Sequence, residues 1–229
     1  MRYALYFTPP ADDPLTVSAA EWLGRNPFSG ETRRVAGRGS FSAEDFAAHT
    51  QDPRRYGFHA TIKAPFELAA GQSEASLVEH FQAFCRSQQA FDIPAVVVGQ
   101  LGPFFALIPA ATHQPLQDFA AAAVEAFEPF RAALSEADIA RRKPERLSLA
   151  QRAYLDRFGY PYVMEEFRFH MTLTGPVETS EAGAMRDLAE AHFAPFIDRP
   201  LRISGLALFV ETERGAPFTV HAWQPLSGA

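Results

Sequence analysis

The chain has 229 residues, 47% of them hydrophobic, and its 21 basic and 27 acidic side chains give a net charge of −6. This length suits one large domain or two closely joined lobes. The acidic balance argues against long nucleic acid as a partner, because duplex binding needs a broad basic surface. A small anionic ligand held in a local basic pocket is compatible with the same balance.

Three features of the sequence bear on location. The single cysteine, Cys85, cannot form an internal disulfide, which favours a reducing compartment. The first residues, MRYALYFTPP, contain an apolar run too short for a signal peptide. No stretch approaches the roughly 18 apolar residues that span a bilayer. We therefore expect a soluble, cytoplasmic protein without a membrane partner, and the sequence carries no signal for its oligomeric state.

The predicted elements begin with a strand over Arg2 to Thr8, an alternating stretch rich in Tyr and Phe. Two short helices follow, over Val17 to Gly24 and over Ser42 to Thr50, where Ser42 is the expected N-cap. The remaining predicted elements are, in chain order, a strand over 56–65, a helix over 73–89, strands over 91–98 and 104–109, helices over 114–134 (interrupted near Pro129) and 148–158, a strand over 167–176, a helix over 180–192, and strands over 201–210 and 217–223.

The order strand, helix, strand, strand occurs twice, once from His59 and once from His170. A duplication with so long a period indicates two similar units rather than a solenoid array. We therefore predict an α+β, bilobal, duplicated fold, in which two antiparallel sheets with flanking helices form a central cleft. The expected first lobe spans about 1–112, a helical connector spans 113–160, and the second lobe spans 161–229.

The strand that opens each unit carries histidine and threonine two positions apart. In YGFHATIKAP, apolar side chains from Phe58 to Ile62 alternate with the polar side chains of His59, Thr61 and Lys63. Because a strand points alternate side chains to opposite faces, the polar three are predicted to share one face. In FRFHMTLTGP the same alternation groups Arg168, His170, Thr172 and Thr174.

A lone strand histidine is usually structural, but two equivalent His-x-Thr strands in a duplicated unit favour a shared site. Phosphodiester cleavage needs a base to activate the nucleophile and an acid to protonate the leaving oxygen, and histidine titrates near neutral pH. Threonine hydroxyls donate hydrogen bonds to the non-bridging phosphate oxygens. This scheme requires no metal ion and no cofactor.

The elements HATI and HMTL resemble the paired signatures of the two-histidine (2H) phosphoesterase superfamily, which includes RNA 2′,3′-cyclic phosphodiesterases. The longer stretches RYGFHATIKAPF and GYPYVMEEFRFHMTLTGP resemble a bacterial branch labelled as phosphonate-metabolism proteins. The resemblance covers most of the chain. It implies a bilobal α+β fold with both motifs in a central cleft, and a hydrolase that acts on a small cyclic phosphodiester of a sugar or nucleoside. It also implies that His59 and His170 are the acid–base pair and that Thr61 and Thr172 bind the phosphate.

Four further side chains are predicted to contact this small phosphate-ester substrate. Lys63 and Arg168 lie beside the histidines on the alternating faces, Tyr56 precedes the first motif, and Tyr6 contributes if the first strand borders the cleft. Each of the first three also has a structural interpretation: Lys63 as a solvated strand end, Tyr56 packed on Pro65, and Arg168 paired with Glu165 or Glu166. The basic run RRKPER, residues 141–146, is expected to be a solvated face.

Two other functions remain open. A metal hydrolase usually has a third protein ligand beside two histidines, and the chain has no His-Glu-x-x-His motif. A non-catalytic protein that binds a phosphate- or phosphonate-containing ligand needs the same pocket as the enzyme. An ATP-using enzyme is disfavoured, because GRGS at residues 37–40 lacks the lysine and the spacing of a phosphate-binding loop.

Overall fold

The alternating stretches of the sequence form nine strands in a computed structural model that describes residues 1–229. Both predicted motif strands are shorter than expected: Tyr56 ends a helix instead of opening a strand, and only two residues of 167–176 form strand pairs. The strands are β1 (Arg2–Phe7), β2 (Ala60–Phe66), β3 (Phe91–Ile93), β4 (Val96–Leu101), β5 (Phe104–Pro109), β6 (Met171–Thr172), β7 (Leu201–Ile203), β8 (Gly205–Glu211) and β9 (Thr219–Pro225).

Five of the eight helices begin at a residue whose side chain caps the first turn. Asp13, Ser42 and Ser148 each accept a hydrogen bond from a backbone N–H of the first turn. The predicted helix over 114–134 ends at Ala126, and Pro129 lies in a separate 3-10 turn. The helices are α1 (Pro14–Leu23), α2 (Ala43–His49), α3 (Gln51–Tyr56), α4 (Glu74–Ser87), α5 (Gln114–Ala126), α6 (Glu136–Arg141), α7 (Leu149–Phe158) and α8 (Ala182–Phe193).

The strands form one large and one small antiparallel sheet, and the α+β class is confirmed. The seven-stranded sheet has the order β4-β5-β6-β2-β1-β8-β9, and β3 pairs with β7 in the second sheet. Both units contain the series strand, helix, short strand, hairpin, as the predicted repeat requires. The sheet interleaves the ranges 1–112 and 161–229: β6 lies beside β5, and β8 lies beside β1.

The motif strands β2 and β6 lie at the centre of the large sheet and are anchored from behind by apolar side chains. Phe58, Ala60 and Met171 are fully buried in the main core cluster. Burying a phenylalanine side chain contributes roughly 1.5–3 kcal/mol, so these residues hold the intervening polar side chains toward the opposite face. None of the helices has the length and apolar character required to cross a membrane.

Candidate active site

The two His-x-Thr motifs meet because β2 and β6 are neighbours. Ala60 pairs with Met171 in antiparallel register. Continued by one residue in each direction, this register sets His59 opposite Thr172 and His170 opposite Thr61. Directly opposed side chains have Cβ atoms about 4.5–5.5 Å apart. Each histidine therefore faces the threonine of the other motif, and all four side chains line one cleft.

Each imidazole is held by a hydrogen bond from Nδ1 to the backbone carbonyl two residues before it. His59 Nδ1 lies 2.8 Å from the carbonyl oxygen of Gly57, and His170 Nδ1 lies 2.6 Å from that of Arg168. A carbonyl oxygen only accepts, so Nδ1 carries the proton in each ring and the neutral form has a free lone pair on Nε2. His59 Nε2 lies 3.4 Å from the hydroxyl of Thr61. Each ring therefore has its Nε2 available for proton transfer.

Gly57 is required for the bond that orients His59. Its φ of 74° lies in the left-handed region, and a Cβ at this position would lie 2.5 Å from Pro27 Cβ. Both features exclude a side chain. This turn aims the Gly57 carbonyl back at the imidazole and links the end of α3 to the start of β2.

Aromatic side chains surround His59 more closely than His170. The ring of Tyr6 stacks on His59 with centroids 3.9 Å apart, and Tyr56 lies 5.8 Å away on the same imidazole. Phe104 lies 5.9 Å from His170. Burial lowers the pKa of His59 to about 4; the Gly57 carbonyl opposes this shift and the nearby His170 adds to it. His59 is therefore neutral at pH 7.

We expect this environment to be visible in a proton NMR titration of the ligand-free protein. The His59 ring should keep its neutral chemical shift until the pH falls close to 4, because protonation would place a charge among buried aromatic rings. His59→Asn identifies the resonance. A His59 midpoint near 6.5, the ordinary histidine value, would contradict the burial of this ring among Tyr6 and Tyr56.

The cleft has a volume of about 380 Å³ and contains most of the predicted site. Besides the four motif side chains, Tyr6 and Tyr56 both line it, so β1 does border the cleft. Tyr56 stacks on Phe218, with centroids 5.2 Å apart. Burial raises the pKa of the Tyr6 hydroxyl well above its usual value, so this hydroxyl stays protonated and able to donate a hydrogen bond.

Lys63 lies outside the cleft, contrary to the prediction from strict alternation. Tyr6 pairs with Thr61 but Leu5 pairs with Lys63, so β2 has one extra residue at this point, a β-bulge. The bulge turns Lys63 to the side of the buried Leu5. Its ammonium donates hydrogen bonds to the Val124 carbonyl at 3.0 Å and to the Glu128 carboxylate at 2.8 Å. Lys63 is a buried structural residue here rather than a solvated strand end.

Replacing Lys63 with methionine should therefore lower the free energy of unfolding. The change leaves the Val124 carbonyl without this donor, while Glu128 keeps its bonds to Arg131. A buried polar group that loses its partner costs about 1–3 kcal/mol. Urea denaturation of Lys63→Met beside Lys143→Met, at an exposed position, measures the difference. Equal midpoints for the two variants would contradict a structural role.

Arg168 is also placed away from the cleft. Its side chain is exposed and lies among residues near the start of α5, including Gln117 and Met164. Only the two residues of β6 pair with neighbouring strands, so the sheet does not carry Arg168 to the cleft beside His170. Arg168 forms no ion pair with Glu165 or Glu166, whose carboxylates accept hydrogen bonds from Tyr154 and Gln151. Its carbonyl, not its guanidinium, serves the site.

The range predicted as a connector supplies two cleft residues that the sequence did not indicate. Arg142, within the run RRKPER, lies against the ring of Tyr160 at 4.9 Å, and both line the cleft. The expectation of a solvated face fails at Arg142, while Arg141, Lys143 and Arg146 are exposed as expected. The other lining residues outside the predicted set include Arg2, Asp52, Phe104 and Thr174.

The metal-binding potential of the structure follows from the positions of its acidic, histidine and cysteine side chains. No group of three or more of them is placed to hold a metal ion. Glu165 and Glu166, the acidic residues nearest to His170 in the sequence, do not line the cleft: Glu165 borders another surface cavity, and Glu166 accepts a hydrogen bond from Gln151.

One protein family matches most of the chain. The model of a family described as "Protein of unknown function (DUF1045)" matches residues 61–219, well over half of the chain. The chain belongs to the DUF1045 family. The matched residues include Thr61, His170 and Thr172, and they begin two positions after His59.

Two curated proteins extend the similarity beyond the DUF1045 match. The ribose 1,5-bisphosphate phosphokinase PhnN of Janthinobacterium sp. (strain Marseille) is 40% identical over 231 residues, covering 99% of this chain and 51% of that protein. The protein of the same name from Laribacter hongkongensis (strain HLHK9) is 35% identical over 239 residues, covering 100% and 53%. The chain thus spans about half the length of the curated relatives it matches. A solved structure titled "Crystal structure of phosphoesterase" aligns over 98% of both chains with 14% identity and a TM-score of 0.41.

Proposed function

We propose that this chain hydrolyses a small cyclic phosphodiester without a metal ion. The observation that carries the proposal is the pairing of β2 with β6, which sets each histidine opposite the other motif's threonine in one cleft. Two imidazoles with free Nε2 atoms supply a base and an acid. Two hydroxyls between them supply hydrogen bonds to the non-bridging oxygens of a phosphate. This arrangement also supports membership of the 2H phosphoesterase superfamily, to which the motifs are similar.

In the proposed reaction His59 is the base and His170 is the acid. His59 is neutral at pH 7, so its Nε2 takes a proton from water as the water oxygen bonds to phosphorus. The ester P–O bond breaks, and protonated His170 gives its Nε2 proton to the leaving oxygen. A bound phosphodiester anion favours the charged imidazolium and so raises the pKa of His59 toward neutral pH.

The substrate class that we favour is a ribose cyclic phosphate. The curated relatives are named for a kinase reaction on ribose 1,5-bisphosphate, and this chain matches about half of each. A kinase of that type binds ATP, and the chain has no glycine-rich loop with lysine for the purpose. The name of these relatives therefore supports a sugar phosphate as the substrate of this chain, and we do not propose the kinase activity for it. Hydrolysis of a ribose cyclic phosphate gives a ribose phosphate. This product is compatible with a role in phosphonate metabolism, the process for which the similar bacterial branch is labelled.

The test is hydrolysis of a panel of cyclic phosphodiesters in the presence of EDTA. Wild type, His59→Ala and His170→Ala are compared with His221→Ala, a histidine of β9 that lies outside the cleft. The proposal expects turnover by wild type and His221→Ala and its loss in the other two. Turnover that EDTA abolishes would favour a metal hydrolase. Ligand binding without turnover of any member would favour the non-catalytic binding protein.

A further inference from the structure

A second pocket adjoins the catalytic cleft and shares part of its lining. It has a volume of about 330 Å³, and Arg2, Pro65 and Arg142 line both cavities. The remaining charged residues around it are Arg141, Arg214, Glu67 and Asp138. Since two arginines stand at the junction, a ligand held by the histidines has a basic surface directly beside it.

The acidic side chains of this pocket are ion-paired, but one of its arginines is not. Asp138 pairs with both Arg141 and Arg214, and Glu67 pairs with Arg214 at 2.9 Å, so the two acidic groups are already engaged. Arg142 forms no ion pair and no side-chain hydrogen bond, and only the ring of Tyr160 supports it. Arg2 binds Glu211 from behind, so Arg142 is the one arginine of this pocket without a carboxylate partner. Its unpaired positive charge lies at the junction with the cleft.

The second arginine of the junction is fixed in place from behind. Arg2 donates a hydrogen bond from Nε to Glu211 Oε2 at 2.5 Å, and the Glu211 side chain is fully buried. This bond uses one of the five N–H donors of the guanidinium, and the terminal nitrogens remain free. An arginine held in this way loses little conformational freedom when it binds an anion.

We propose that the second pocket binds a phosphate monoester carried by the same substrate as the cyclic phosphodiester. The inference rests on the proposed function and narrows its substrate to sugar cyclic phosphates that bear a second phosphate. A monoester carries close to two negative charges at neutral pH, and arginine contacts phosphate through two parallel hydrogen bonds. Arg142 and Arg2 are the residues that contact it. Arg141 lines the second pocket alone and is paired with Asp138, so its contribution is smaller.

The experiment compares a ribose cyclic phosphate with the same compound phosphorylated on its C5 hydroxyl. The ratio of their kcat/KM values is measured for wild type, Arg142→Gln, Arg141→Gln and Arg146→Gln. Arg146 belongs to the same basic run, but its side chain is 73% exposed and lines neither cavity. We expect wild type and Arg146→Gln to prefer the phosphorylated compound at least tenfold. Arg142→Gln should lose most of that preference, and Arg141→Gln a smaller part.

The outcomes separate this proposal from the one it rests on. Turnover of both compounds without preference would overturn the second phosphate site and leave the phosphodiesterase in place. Turnover of neither compound would overturn the proposed phosphodiesterase activity. Calorimetry with the same two compounds then tests whether the second phosphate site exists. Tighter binding of the phosphorylated compound to wild type than to Arg142→Gln supports it. Equal binding shows that the arginines and acids form only a surface ion-pair network.

Discussion

Replacing His170 with alanine is expected to lower kcat for an alkyl phosphodiester by about 10²- to 10⁴-fold, the usual worth of general acid catalysis. For a phosphodiester with a p-nitrophenolate leaving group the loss should be at least tenfold smaller, because that group departs without a proton. Replacing His59 should cost the same factor on both substrates, because the attacking water needs a base in each case. The two roles therefore leave different signatures.

The assignment follows from the different surroundings of the two rings. Tyr6 stacks on His59 and Tyr56 lies nearby, and burial there lowers the pKa of His59 to about 4. A ring that resists protonation is suited to begin the reaction as the neutral partner. The measurement is kcat for both substrates with each variant. A smaller loss on the nitrophenyl ester in His59→Ala, and not in His170→Ala, would reverse the roles.

Replacing Glu211 with alanine is expected to cause a large loss of stability. Glu211 is fully buried and binds Arg2, Arg55 and the backbone N–H of Gly215. Burial acts to raise the pKa of its carboxyl, but the bonds to Arg2, Gly215 and Arg55 outweigh it and hold the pKa below the usual value. Removing one partner of a buried ion pair costs about 3–5 kcal/mol, because the remaining charges lose their counter-ion.

Chemical denaturation of Glu211→Ala measures this loss, with Asp92→Ala as the matched control. Asp92 pairs with Arg202 at 3.3 Å, but both side chains are about half exposed, and exposed pairs contribute little. The contribution of Glu211 to the free energy of unfolding also depends on pH. Because the folded pKa of Glu211 is lowered, its contribution is present above the ordinary pKa and disappears as the pH falls through the folded value. Equal denaturation midpoints for the two variants would contradict a stabilising role for Glu211.

Local sequence predicted the four central residues of the candidate site. His59 with Thr61 and His170 with Thr172 sit on alternating stretches, and alternation decides which side chains share a face. The duplication then indicated that the two strands are equivalent, although not that they are hydrogen-bonded neighbours. The pairing of Ala60 with Met171 is a long-range contact that no local pattern specifies.

The failures of prediction at the site have local and long-range causes. Lys63 was misplaced because the bulge near Ile62 depends on how β1 pairs with β2, and a pairing irregularity leaves no periodic signal in one strand. Arg142 was assigned to a solvated run because charge runs usually are solvated. Its place beside Tyr160 at the cleft is a tertiary contact between residues 18 positions apart, which the composition of the run does not specify.

The central claim is that water attacks the phosphorus of a cyclic phosphodiester between His59 and His170. It is tested most directly by phosphorus NMR of a ribose cyclic phosphate incubated with wild type in H₂¹⁸O containing EDTA, beside the double variant His59→Ala/His170→Ala. We expect conversion to a monoester that carries one ¹⁸O on phosphorus, with wild type alone. Conversion by the double variant at the wild-type rate, or a product without ¹⁸O, would contradict it.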